Sequence, residues 1–347
     1  MSEVKKFYKK TLKYIFLLFN KKLIITNKEK KYFSKSNIKL GRKNYKIFSI
    51  DDGKIYMDSS EGKYFYMYKN IILQKLSIDV GDLSADSNII KYGLIKFCKK
   101  FNLKVISIVS GRDAKDNYYH WVIDVLPRLI ILKKEIKKKK LLNLLVPNYK
   151  KKYQIESLNC FIDNKRTNFI NLSKYKFMQF DKITLSSNNE NFEYFNSNLL
   201  SNLRNKVLTE AKKKLKSSKY KYEKIFISRA DANLKNKRNL KNNLEIENYL
   251  IKKGFSVLIL SNYSFLEQAL IFNNAKLVVG LHGAGLTNIL FCKKRTKIIE
   301  ITLDSWPKLF KKLSKCLNLS YKKLSANKYS NINNRVVLPT SKIKKLL

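Results

Sequence analysis

Both histidines of the chain sit in company that could do chemistry. His282 lies in "LVVGLHGAGLTNILF", residues 277–291, which also holds three of the ten glycines. A strand-like run precedes the glycines and a helix-like run follows, so the turn belongs at the carboxyl edge of a sheet. Glycine admits positive φ and close approach of a ligand to the backbone. A helix starting near Ala284 would present free N–H groups and a partial positive charge, which suits a phosphate. Thr287 and Asn288 would add a hydroxyl and an amide in its first turn, and His282 could donate to a phosphate oxygen or a sugar hydroxyl. A plain tight turn whose glycines serve packing alone satisfies the same spacing.

His120 lies in "NYYHWVIDVLPR", residues 117–128. On an ideal helix Asn117, His120, Asp124 and Arg128 fall within roughly 80° of arc. Val122, Ile123, Val125, Leu126 and Leu129 take the other side. Pro127 removes a backbone donor and should kink or restart the helix. The stripe is either a wet face shown to solvent or a base with its orienting partners. No lysine occurs from Asp116 to Leu132, although lysine dominates the chain.

Residues 45–75 read as a meander of strands, with "DDG" as a turn signal. From 104 onward strands and helices alternate: "KVISIVS", a helix over the first histidine motif, "LLNLLV", a helix over "KKYQIESLNCF", then "KITLSS". A helix from Leu200 to Leu215 reads as a bridge between domains. The pattern is clearest afterwards. Strands "KIFIS", "FSVLIL", "KLVVG" and "KIIEI" are separated by helices at 242–253, 264–274 and 284–292. That order predicts a parallel sheet with right-handed crossovers, whose ligands bind at the carboxyl ends of its strands. "SWPKLFKKLSKCL" adds an amphipathic helix with Pro307 in its first turn.

With 347 residues, two domains are expected. The chain carries 73 basic and 26 acidic residues, a net charge of +47. Such a charge attracts phosphates and polyanions. The lysines are dispersed, however, and the accompanying richness in Ile, Asn, Tyr and Phe fits compositional drift as well as selection. A basic nucleic-acid-binding protein is thus the alternative function class, although no zinc-ligand spacing, RNA-binding aromatic motif or localised basic stripe supports it. The four cysteines are far apart and show no metal-ligand spacing, as expected of free thiols in a reducing cytoplasm. The run "YIFLLF", Tyr14 to Phe19, is too short to span a bilayer. Flanked by Lys9, Lys10, Lys13, Lys21 and Lys22, it fits either an N-terminal helix packed on its domain or a peripheral contact with an anionic membrane surface.

Taken together, "NYYHWVIDVLPRL" and "FISRADA…R…GF…LSNYSFLEQALIFNNAKLVVGLHGAGLTNILF…IIEI" resemble glycosyltransferase family 61. That family includes bacterial capsule and lipopolysaccharide-type enzymes, plant β-1,2-xylosyltransferases and eukaryotic O-linked GlcNAc transferases. The similarity covers roughly residues 100–302 and contains both histidines. The matching positions are Asn117, His120, Trp121, Asp124, Pro127 and Arg128 in the first motif. Later ones are Ser228, Arg229, Arg238, Glu267, Gln268, His282, Gly283, Gly285, Thr287, Asn288 and Glu300. The family often has Asn-Glu where this chain has Asn242-Asn243.

The resemblance implies an α/β chain of GT-B type, with two Rossmann-like domains facing across a cleft. Residues 1–90 would form a strand-rich part of the first domain, 91–215 the acceptor side, and 216–347 the nucleotide-sugar domain, with its last helix a candidate to return to the first. The activity implied is inverting transfer of a sugar from a nucleotide sugar to a glycan or glycolipid acceptor in cell-surface polysaccharide synthesis, without metal or cofactor; no Asp-x-Asp motif occurs. Asp124, His120 and Arg128 are the catalytic candidates, with Asp124 favoured as base. Asn117 and Trp121 would orient or contact the acceptor. Arg229, His282, Gly283, Ala284, Gly285, Thr287, Asn288 and Glu300 would hold the donor, Arg229 as a second cation and Glu300 on ribose hydroxyls. Glu267 and Gln268 read as structural. "HGAG" is also similar to an esterase oxyanion-hole motif, but no G-x-S-x-G accompanies it.

Overall fold

The computed structural model of the protein describes residues 24–25, 29–40, 43–58, 63–77, 98–110, 116–147, 149–172, 174–175, 177–187, 195–231, 238–329 and 335–345. The Tyr14–Phe19 run and its flanking lysines lie outside them. The chain divides into two compact units. One comprises Met1–Asp116, Asp124–Tyr149 and Asp163–Glu190; the other comprises Asn117–Ile123, Lys150–Ile162 and Asn191–Leu347. Among the described residues no helix is long and apolar enough to cross a membrane. All four cysteines are free thiols.

The first unit is built on a mixed sheet. Its strands are β1 (Ile24–Ile25), β2 (Ser34–Leu40), β3 (Lys43–Asp51), β4 (Gly53–Asp58), β5 (Lys63–Tyr68), β6 (Ile71–Ile72), β7 (Lys99–Ser107), β8 (Leu142–Val146), β9 (Thr167–Asn171) and β10 (Phe177–Ser186). The order is β1-β6-β5-β4-β10-β7-β8-β9, with β3 paired to β10 and β2 to β3. Of the expected meander, β4 to β6 are present as successive antiparallel pairs, whereas β3 and β4 follow one another along the same edge of β10, so "DDG" interrupts a strand and does not reverse it. Strands β10, β7, β8 and β9 run parallel, and β3 and β4 pair antiparallel with β10. Successive side chains of a strand point to opposite faces. In β5, Tyr64 and Tyr66 accordingly join one core, with Ile50, Val105 and Phe180, while Phe65 and Met67 join another, with Tyr56 and Phe177.

The second unit holds a five-stranded sheet of β11 (Lys224–Ile227), β13 (Ser256–Leu258), β14 (Leu277–Leu281), β15 (Lys297–Thr302) and β16 (Ser320–Ser325). The order is β13-β11-β14-β15-β16 and every pair is parallel, as the alternation of strands and helices predicts. The strands read as continuous apolar runs because helices cover both faces of such a sheet. A three-stranded sheet of β12 (Asn239–Leu240), β18 (Arg335–Val337) and β17 (Asn327–Lys328) lies in the same unit. The helix Asn243–Lys252 and the helix Phe265–Asn274 are crossovers. The second starts in a capping box between Ser264 and Glu267, so Glu267 is structural here.

The helix Ser197–Lys214 also belongs to this unit; Leu199, Leu203, Val207 and Ala211, at four-residue spacing, form its buried stripe. The last helix, Thr340–Lys344, stays with the unit too, since Ile343 joins its core. One element differs in kind from expectation. Residues Ala284–Phe291 form a 3₁₀ helix, not an α-helix. Its tighter turn brings the Leu286 N–H onto the Gly283 carbonyl at 3.0 Å.

Candidate active site

The sheet order marks one place in the second unit for a ligand. From β11 the chain crosses to β13 on one side, and from β14 to β15 on the other. Adjacent strands whose connections depart in opposite directions open a crevice at their carboxyl ends. The residues just past those ends are Ser228-Arg229 after β11 and His282-Gly283 after β14.

Arg229 is half-buried, and burial lowers its guanidinium pKa against the opposing pull of Asp231. Arg238, also half-buried, places its guanidinium carbon 4.8 Å from the Trp306 ring centroid, a cation–π arrangement. Burial lowers the Arg238 pKa, the charge of Arg229 lowers it further, and the Glu300 carboxylate acts the other way. The two cations are therefore neighbours. Among the described residues neither Nε has a hydrogen-bond partner. Guanidinium stays charged at neutral pH, so two cations, each with an Nε lacking a partner among the described residues, lie close together here.

His282 is 2% exposed and Glu300 1%. The imidazole Nδ1 is hydrogen-bonded to Glu300 Oε1, and the Tyr321 hydroxyl donates to Oε2 at 2.6 Å. Trp306 and Phe310 pack against the imidazole, with ring centroids 5.6 and 5.2 Å away. Both Glu300 oxygens thus have a partner within the protein.

The glycine turn works differently from expectation. Gly283 has φ 169°, an extended value that any residue adopts. Among the described glycines only Gly254, at φ 78°, lies in the left-handed region. Space makes the demand instead. A Cβ on Gly283 would stand 2.2 Å from Arg229 Nη1, and one on Gly285 3.2 Å from both Ile227 and Leu260 side chains. Thr287 and Asn288, expected to meet a ligand, are enclosed in the interior. The Asn288 amide donates to Gln268 Oε1 and the Gly285 carbonyl, and its oxygen accepts from the Tyr118 hydroxyl at 2.6 Å. Its job is to hold the turn. Asn288→Ala is expected to destabilise the protein by about 2–4 kcal/mol, because buried partners are left unsatisfied at roughly 1–3 kcal/mol each; denaturant unfolding reads this directly.

The first histidine motif is divided. Asn117 caps the helical run, its side chain accepting from the Tyr119 N–H at 2.9 Å. Asn117, His120 and Trp121 fold with the second unit, Asp124 and Arg128 with the first. Between them Trp121–Val125 form a π-helical turn, after which an α-helix restarts at Leu126 with Pro127 in its first turn. A π turn takes more residues per turn than an α-helix, so each residue rotates less and the single stripe drawn on an ideal helix does not carry through it. Arg128 is not on a wet face: it is 5% exposed, and its Nε donates to the Asp124 carbonyl at 3.1 Å. Trp121 is fully buried with its indole N–H on Ser157 Oγ at 2.8 Å, so it can orient the motif but not stack on a sugar.

The family model for glycosyltransferase 61 matches residues 118–299, just over half of the chain. The chain belongs to glycosyltransferase family 61. It is a glycosyltransferase, and membership implies a nucleotide-sugar donor and a glycan acceptor in general terms. No curated protein matches it. The matched stretch holds both histidines, Asp124, Arg229, Arg238 and the glycine turn. Glu300 lies one residue beyond its end, and further on lie three side chains that meet it or His282: Trp306, Phe310 and Tyr321. Sequence reading missed them, because they reach His282 or Glu300 only through the fold. Trp306 alone left a signal, as one of two tryptophans in the chain.

Proposed function

We propose that the transferase binds the diphosphate of a nucleotide sugar at Arg229, Arg238 and the Gly283 turn, with His282 beside them. The observation that carries this reading is the pair of neighbouring, half-buried guanidiniums whose Nε groups have no hydrogen-bond partner among the described residues. Forked, fixed donors match phosphate oxygens, and in a partly desolvated crevice they stabilise charge far better than in water. They supply positive charge where the leaving diphosphate develops negative charge, which supports transfer without a metal.

The reaction we infer is a single in-line displacement with inversion. An acceptor hydroxyl oxygen forms a bond to the anomeric carbon. The bond from that carbon to the diphosphate oxygen breaks, and its electron pair leaves on the nucleoside diphosphate. The hydroxyl proton passes to Asp124, the proposed base, with His120 and Arg128 orienting it or the acceptor. The GT-B arrangement implied by family resemblance, a glycan or glycolipid acceptor in cell-surface polysaccharide synthesis, and a cytoplasmic site of action at the inner membrane face belong to the same proposal.

Incubation with a panel of nucleotide sugars and sugar acceptors in EDTA tests it, reading released nucleotide and product anomer. Release of one nucleoside diphosphate, with inverted product, is expected. Transfer that stops in EDTA and returns with a divalent cation contradicts the metal-free reading. Gly283→Ala should fold yet bind that nucleoside diphosphate at least about tenfold more weakly, because the new methyl displaces a charged fork worth roughly 1.5–3 kcal/mol per hydrogen bond. Unchanged affinity in calorimetry would remove Arg229 from the site.

A further inference from the structure

Glu300 sets a problem for any phosphate site. Its carboxylate is almost fully buried, close enough to Arg238 to act on its charge. By charge alone a carboxylate there repels a diphosphate, so its place needs another reason. It is also turned inward, 1% exposed, with one oxygen on the His282 imidazole and the other accepting from the Tyr321 hydroxyl.

We propose that Glu300 and Tyr321 are positioning residues for His282: together they hold its imidazole in one orientation and one tautomer, with hydrogen on Nδ1, and leave Nε2 as the ring nitrogen for the ligand. An ionised carboxylate only accepts hydrogen bonds, so the nitrogen facing it must carry the proton. The partner on one ring nitrogen thereby decides the role of the other. Tyr321 is suited to its part. Burial and the adjoining carboxylate both push its pKa upward, so the phenol keeps its proton and remains a donor. With its second oxygen tied to Tyr321, Glu300 cannot swing away from the ring. Trp306 and Phe310 confine the imidazole from its sides, and the His282 backbone N–H is fixed to the Ile301 carbonyl at 2.8 Å. Glu300 ends one residue past the family match and Tyr321 follows well beyond it, so the match does not bound the site.

This inference rests on the donor-site reading above, and its test separates the two. The chain has only two histidines, so imidazole nitrogen resonances of histidine-labelled protein can be assigned with a His120→Asn variant. Full-length wild type should show His282 protonated at Nδ1 without any ligand. In Glu300→Ala that preference should be lost, and UDP affinity, or that of GDP where it is the nucleotide bound, should fall at least tenfold. Glu300→Gln retains a carbonyl acceptor, so it should keep the tautomer and recover most of that loss. Charge alone predicts the opposite, tighter binding in both variants. Should Glu300→Ala fail to fold, Tyr321→Phe decides: it removes only the hydroxyl, and the Nδ1 resonance should move as the carboxylate is freed. A wild-type ring protonated at Nε2 alone, Nδ1 unmoved in Tyr321→Phe, or affinity as high in folded Glu300→Ala as in wild type would overturn the positioning role. Wild type that binds none of UDP, GDP or CMP overturns the donor-site reading, and this one with it.

Discussion

Arg229→Ala is expected to lower glycosyl transfer about 10²–10³-fold, the cost of removing one fixed donor from a site of developing negative charge. The side chain follows β11 at the crevice of the parallel sheet, carries a buried Nε with no partner among the described residues, and places Nη1 2.2 Å from where a Gly283 Cβ would stand. Its stabilisation of a leaving diphosphate grows as the glycosidic bond breaks, so kcat should fall more than KM rises. The fold should not suffer. Arg229 and Arg238 repel each other, and removing one relieves that repulsion. Kinetics and thermal unfolding on the same preparation check both halves. A large drop in Tm with unchanged turnover of the folded enzyme would make Arg229 a structural residue.

Asp124→Asn should lower transfer about 10²–10⁴-fold, the usual contribution of a positioned base. The substitution is nearly isosteric. The Asp124 carbonyl that accepts from Arg128 belongs to the backbone and is unaltered, so Arg128 keeps that anchor. The proton acceptor is lost, and nucleotide affinity should stay close to that of wild type because Asp124 is proposed to meet the acceptor hydroxyl and not the nucleotide. Turnover under saturating donor, compared with nucleotide affinity by calorimetry, separates the two effects. Full transfer activity in the variant would remove Asp124 as the base.

Local signals carried much of this account. "LVVGL" and "KIIEIT" declare themselves as buried parallel strands, and the strand–turn pattern placed both Arg229 and the glycine turn at the carboxyl edge. What was not legible depends on distance along the chain. Tyr118 lies 170 residues from the Asn288 it hydrogen-bonds, so nothing in either motif shows that Asn117–Ile123 folds with the second unit. The Phe265 N–H is likewise met by Glu156, 109 residues earlier. The π turn at Trp121–Val125 defeats a helical wheel because the wheel assumes constant rotation. Gly283 was recognisable as necessary, but the reason, the bulk of Arg229, appears only in three dimensions. Glu300 was found by family position, but the Tyr321 hydroxyl that meets it from the next strand was not legible.

The central claim is that two arginines beside the glycine turn form a specific nucleotide site, not merely a share of a net charge of +47. The most direct measurement is a binding titration in EDTA of wild type and Arg229→Ala against UDP, GDP, CMP and a random RNA oligomer, at two salt concentrations. Selective binding of one nucleoside diphosphate, lost in Arg229→Ala and weakly dependent on salt, is the predicted result. Equal, steeply salt-dependent binding to all four, unchanged in the variant, would contradict the account and identify the chain's affinity for phosphate as bulk electrostatics.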